Sequence, residues 1–253
     1  MLKNNERLEY IDGLKGILCM IVALNHFQNL YKLPFKSTFM YKTLFNGTYA
    51  VVIFLLISNF FMAKHASNIS TCESLKNSIL KRYFKMSFPI FIVSSFILVV
   101  YSLGGFNNFQ AAMEITGGYD PALHFKGIEF SNLFLNSFFR CLFKRSSDFT
   151  FVLWMVVYLF LGNLMTLLIS IIAKKTNFFL TTSLCAFFTT VIVYNYFHTL
   201  LLTAPFGFYL YYIMSKFKIE KPQSIILLFL SFYLVYINNL NGVLETFFKH
   251  WNY

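Results

Sequence analysis

The 253-residue chain is 57% hydrophobic and only 12% charged, with 34 Phe and 16 Tyr, and its apolar residues fall in blocks of about twenty. This excludes a soluble globular protein and predicts an all-α, polytopic transmembrane helical bundle of about seven spans, a single integral membrane domain over residues 1–253. The net charge of +11 would suggest nucleic acid in a soluble protein. Here the bases sit mainly between apolar blocks, where they set topology and meet anionic lipid heads or anionic substrates, so no nucleic-acid partner is expected.

The N-terminal residues, with Lys3 and Arg7, are expected in the cytoplasm. The first apolar run is too long for a cleaved signal peptide and is expected to stay as a span. Spans are predicted at residues 14–33, 48–63, 88–103, 150–173, 178–198, 200–214 and 224–240. The connection from Lys64 to Lys85 carries Lys64, Lys76, Lys81, Arg82 and Lys85 and is the most basic. Pro89 is expected in the first turn of the third span, where its missing N–H does no harm. The patch FSNLFLNSFF, ending at Arg140, is short for a span and is expected to be interfacial or re-entrant. With the N-terminus inside, the inner segments hold 13 Lys and Arg and the outer ones 8, which agrees with the positive-inside rule. Plasma-membrane, multi-pass placement is the expectation.

Ionisable groups inside a span cost roughly 2.5–3.5 kcal/mol each, so they mark sites. The first span opens with Asp12 and Lys15 and carries His26 far inside. Eleven residues at 100° each put Lys15 and His26 about 20° apart in azimuth and about 16 Å apart along the axis, with Asp12 about 40° off the same line. An acid, a base and an imidazole thus share one stripe. Neutral imidazole can take a proton from a hydroxyl near neutral pH, the chemistry of acyl transfer. A structural histidine bonded to a neighbouring helix is the plain alternative. Clustered Lys and Arg at a helix entrance suit phosphates, and equally suit ordinary topology and lipid contacts. Asp120, His124, Glu129 and Asp148 lie in the outer connection and His198 and His250 at span ends, where such residues are common. Cys19, Cys72, Cys141 and Cys185 show neither disulfide nor metal spacing, and no metal site is expected.

The run Asp12-Gly13-Leu14-Lys15-Gly16 followed by His26 resembles the opening signature of the membrane-bound acyltransferase 3 family, in which an Arg stands where Lys15 does. Phe54–Phe60 is similar to the family's Phe-rich stretch ending in Ser-Gly-Phe, with Asn59 in place of Gly. Lys81, Arg82 and Lys85 followed by Pro89 resemble its Arg-x-x-Arg segment before a Pro. Leu153-Trp154 with Gly162 resembles its Leu-Trp span, although Leu159 stands where Glu is usual. The likeness covers at least residues 7–163.

The resemblance implies a membrane O-acyltransferase, most readily an O-acetyltransferase, using cytoplasmic acetyl-CoA or another acyl-CoA as donor substrate with no permanently bound cofactor. The acceptor would be a hydroxyl of a cell-surface polysaccharide or a lipid-linked sugar. Asp12 would hold Lys15; Lys81, Arg82 and Lys85 would engage the donor; His26 would activate the hydroxyl or carry the acyl group. Family members have about ten spans, so the chain is expected to be short at its C-terminus. An inactive homologue is one alternative. A glycan transporter or export partner is the other, predicting polar residues along several spans and paired broken helices.

Overall fold

The computed structural model describes residues 9–31, 47–104, 114, 130–144, 153–177, 180–187 and 199–216. The predicted span at 224–240 and the outer-loop acids lie outside these residues. By its internal contacts the chain divides into two units, Leu8–Tyr212 and a second made of Met1–Arg7 with Ile213–Tyr253. The helix contacts that build the candidate site are all within the first.

The elements are α1 (Glu9–Tyr31), α2 (Gly47–Ser67) and α3 (Cys72–Ser102). Next comes α4 (Phe130–Leu135), which runs through a five-residue π turn (Asn136–Arg140) into a closing turn, Cys141–Phe143. The last two are α5 (Trp154–Ala173) and α6 (Thr203–Lys216), the latter entered by a 3-10 turn at Thr199–Leu202. Residues 180–187 are also helical, and no strand occurs among the described residues. Helices Gly47–Ser67, Cys72–Val100 and Trp154–Ala173 are long and apolar enough to cross a membrane. α1 is 23 residues long and carries Lys15, Asn25 and His26 along it.

α3 starts sixteen residues before the predicted span. Thr71 caps it, its hydroxyl accepting the Ser74 N–H at 3.2 Å, and Glu73 sits in the positive first turn. The basic segment is therefore mostly helix, and Pro89 lies well inside α3. Phe84, Phe88, Ile92, Phe96 and Val99 recur along one exposed face of α3, the stripe of a helix that faces lipid.

Packing pairs set the helix directions. Asn25 meets Gly47, Val22 meets Val51 and Leu55, and Lys15 meets Phe61, so α1 and α2 are antiparallel. His65 bonds Ser78 and Met62 bonds Arg82, so α2 and α3 are antiparallel. Along α5, Tyr158 packs with Leu55, Thr166 bonds Asn59 and Leu167 packs with Met62. Along α6, Thr203 bonds Asn59 and Tyr211 bonds Ser67. Both helices run parallel to α2.

α4 lies antiparallel to α3, with Leu133 against Leu98 and Phe138 against Phe91. It ends with Phe143 on Phe160, two turns into α5. α4 thus runs in the same direction as α5. Its backbone irregularity is sheltered, with Asn136, Ser137 and Phe138 buried and the Phe138 carbonyl accepting the Tyr83 hydroxyl at 2.8 Å, as non-helical backbone at membrane depth requires.

The centre of the bundle is Asn59, 0% exposed. Its Nδ2 donates to Thr203 Oγ1 at 3.1 Å, and its Oδ1 accepts from Thr166 Oγ1 at 3.3 Å. Gly162 and Gly207 leave it room: a Cβ on Gly162 would come within 3.3 Å of the amide. One on Gly207 would come within 2.8 Å of Asn59 Cβ and 3.0 Å of the α2 backbone. Asn59→Ala is expected to cost about 1–2 kcal/mol, and Gly207→Ala about 1–3 kcal/mol by overpacking against backbone that cannot yield. Thermal unfolding of the purified protein checks both, and an unchanged Gly207→Ala would contradict the close α2–α6 contact.

Candidate functional site

α1 carries the polar stripe against α2. The Lys15 ammonium, half-buried, lies 4.6 Å from the centroid of the Phe61 ring, a cation–π contact. Asp12 acts on it attractively, and Arg82 and Lys85 act on it repulsively. Lys15 and Arg82 thus meet the same stretch of α2 from α1 and α3, at Phe61 and at Ser58 and Met62, and Lys85 lies one turn on along α3.

Arg82 is the buried member. Its Nη2 donates to Ser58 Oγ at 3.3 Å and its Nη1 to the weak acceptor Met62 Sδ at 3.3 Å, while Nε has no partner. A guanidinium offers five N–H donors in a planar fork, and these contacts use them poorly. Lys81 and Lys85 are exposed. Lys81 and Arg82 both act on His65, whose Nε2 is 3.0 Å from Ser78 Oγ. Lys81 and Lys85 lie one turn apart on α3.

His26 is half-buried at the other end of α1, about 16 Å from Lys15 along the axis. The helices approach closely beside it, for a Cβ on Gly47 would lie 2.8 Å from the Asn25 side chain. Between the two ends the wall is apolar: Val22, one turn from His26, shares a cluster with Val51, Leu55, Tyr158, Trp154 and Leu159. Leu159 therefore faces the stripe, and its carbonyl accepts from Asn163 Nδ2. Trp154 packs edge-on to Tyr158 at 5.9 Å.

The structure sets Lys15 and Arg82 against the same stretch of α2, leaves Asp12, Lys81 and Lys85 exposed, and keeps His26 toward the other end of α1. Sequence reading missed Ser58 and Asn163, which the basic and histidine residues overshadowed. The signal was present, since uncharged polar residues inside apolar spans are also costly and informative. Among the described residues no three His, Cys, Asp or Glu are gathered as for a metal. Cys19 and Cys72 are exposed and Cys141 and Cys185 buried, none in a disulfide.

Apolar helices of spanning length with ionisable groups on their inner faces define a membrane protein with an internal polar site. The sequence model of the family described as an acyltransferase domain matches residues 8–253, and the chain belongs to this acyltransferase 3 family. No curated protein and no solved structure matches it.

The α1–α2 contact can be tested without any assay of transfer. Gly47→Ala should lower the unfolding temperature, because Asn25 stands where the new methyl must go. Gly13→Ala and Gly16→Ala, where nothing lies within 4 Å, should leave it unchanged or raise it, each by up to about 1 kcal/mol in stability. Equal behaviour of all three variants would contradict the contact.

Proposed function

We propose that the protein is a multi-pass plasma-membrane O-acyltransferase that moves an acyl group, most readily acetyl, from cytoplasmic acyl-CoA to a hydroxyl of a cell-surface polysaccharide or glycolipid. The observation that carries this is that Lys15 and Arg82 meet the same stretch of α2, at Phe61 and at Ser58 and Met62, with Arg82 Nε left without a partner, on the stripe that leads to His26. Partly buried cations with spare donors are matched by a polyanion, and the phosphates of acyl-CoA are one.

In this reading the phosphates rest on Arg82, Lys85 and Lys15, with Asp12 steadying the Lys15 ammonium. The thioester arm extends along the stripe toward His26, over a distance an extended pantetheine arm can cover. His26 accepts the proton of the acceptor hydroxyl, whose oxygen attacks the thioester carbonyl. The carbon–sulfur bond breaks, and the thiolate leaves to take up a proton, giving the O-acyl product and free thiol. The basic end is then cytoplasmic, as the excess of inner bases also suggests.

A homologue that binds donor but transfers nothing is the second reading, favoured by Leu159: this wall offers an isobutyl group where the family's pattern has a carboxylate. Purified protein that binds acetyl-CoA yet acylates no acceptor would select it.

His26→Ala should lower surface-glycan O-acetylation by about 10²–10⁴-fold in a strain without other O-acyltransferases; unchanged acetylation would end the mechanism. Arg82→Ala should weaken acetyl-CoA binding by about 10- to 100-fold, and wild-type binding should weaken as salt rises. Lys85→Ala should have a smaller effect than Arg82→Ala, since Lys85 is exposed and Arg82 half-buried; the reverse order in equilibrium binding would refute that assignment.

A further inference from the structure

Among the described residues, three buried side-chain atoms have no hydrogen-bond partner: Nε of Arg82, Oγ of Ser137 and Oδ1 of Asn163. Ser137 and Asn163 are 0% exposed. Buried polar atoms are nearly always paired, so such an orphan calls for a cause.

Each of the three lies within a turn of one aromatic cluster. Arg82 precedes Tyr83 on α3, Ser137 precedes Phe138 in the π turn of α4, and Asn163 lies one turn after Phe160 on α5. Those three aromatic rings touch one another around Tyr83, at 6.5 Å to Phe138 and 6.1 Å to Phe160. Asn163 and Arg82 are also related through α2. Met62 packs with Leu167 and α2 and α5 are parallel, so one turn earlier Ser58, which Arg82 bonds, is level with Asn163. Since Asn163 Nδ2 is committed to the Leu159 carbonyl, which can only accept, the side-chain oxygen is the atom left over.

We propose that Arg82 Nε–H, Ser137 and Asn163 form a subsite for the secondary amides of the acyl donor's pantetheine arm. This rests on the donor reading above and deepens it. A trans secondary amide presents an acceptor on one edge and a donor on the opposite edge: its carbonyl accepts from Arg82 Nε–H and the Ser137 hydroxyl, and its N–H donates to Asn163 Oδ1. The methylenes on either side suit the rings of Tyr83, Phe138 and Phe160. A sugar ring, with several hydroxyls to satisfy, is poorly matched by three polar atoms among aromatic side chains. Arg82 would then serve twice, with its outer nitrogens toward the phosphates and Nε toward the arm.

The test is equilibrium binding to the purified full-length protein in lipid nanodiscs with three probes. Acetyl-CoA has phosphates and arm, adenosine 3′,5′-bisphosphate has phosphates without the arm, and S-acetyl-N-acetylcysteamine has an amide-bearing thioester arm without phosphates. Asn163→Leu and Ser137→Ala should each weaken acetyl-CoA and the cysteamine thioester by about tenfold. They should leave the bisphosphate unchanged and should not lower the unfolding temperature of the ligand-free protein. Unchanged acetyl-CoA affinity, equal weakening of all three probes, or a lowered unfolding temperature without selective loss would each overturn the subsite. The donor reading fails separately: it falls if wild-type protein binds neither acetyl-CoA nor the bisphosphate, and the subsite falls with it. If Arg82→Ala abolishes bisphosphate binding while Asn163→Leu leaves acetyl-CoA unaffected, the subsite alone is overturned.

Discussion

An uncharged amide holds this bundle in register. A polar group between apolar helices costs free energy unless its hydrogen bonds are met, and Asn59 meets them with one residue from each of two other helices, Thr203 and Thr166. The interaction needs short range, which Gly162 and Gly207 allow by carrying no side chain at the contact. Lipid offers no hydrophobic drive for helix association, so small residues and polar ties of this kind must supply much of it. The family's pattern has Gly at position 59; in this chain the amide fills the space that a glycine would leave.

The placing of the cations follows from that register. With Asn59 turned toward α5 and α6, other residues of α2 meet the cations: Ser58 and Met62 meet Arg82, and Phe61 meets Lys15. The charged groups of α1 and α3 are therefore brought together across α2 at one depth, while the closeness of Asn25 and Gly47 holds the His26 end against the start of the same helix. α2 is the partition along which a charged mouth and an imidazole are kept about 16 Å apart. Between them along α1 lies Val22, packed with Leu159 against Val51, Leu55 and Tyr158.

Much of this can be read in the chain. The helical class, the stripe of Asp12, Lys15 and His26, and the family resemblance need only periodicity, composition and ordered motifs, all of them local. Hydropathy places the third helix sixteen residues late because Lys76, Lys81, Arg82 and Lys85 make its first turns hydrophilic, and hydropathy measures apolarity, not helicity. The Thr71 cap is the local sign of the true start. The π turn in α4 is not legible, for its stability depends on burial against α3 and on the Tyr83 hydroxyl, a residue distant in the chain.

Spacing along a single helix is enough to say which segments are helical and apolar and which ionisable residues share a face. It took the packed bundle to establish that Arg82 is half-buried with an idle Nε and that Lys15 meets the face of Phe61. The same holds for Ser137 and Asn163, which lie within a turn of one aromatic cluster. Those properties depend on residues far apart in sequence meeting across helix interfaces, and such meetings are set by packing, which no pattern within a single helix encodes.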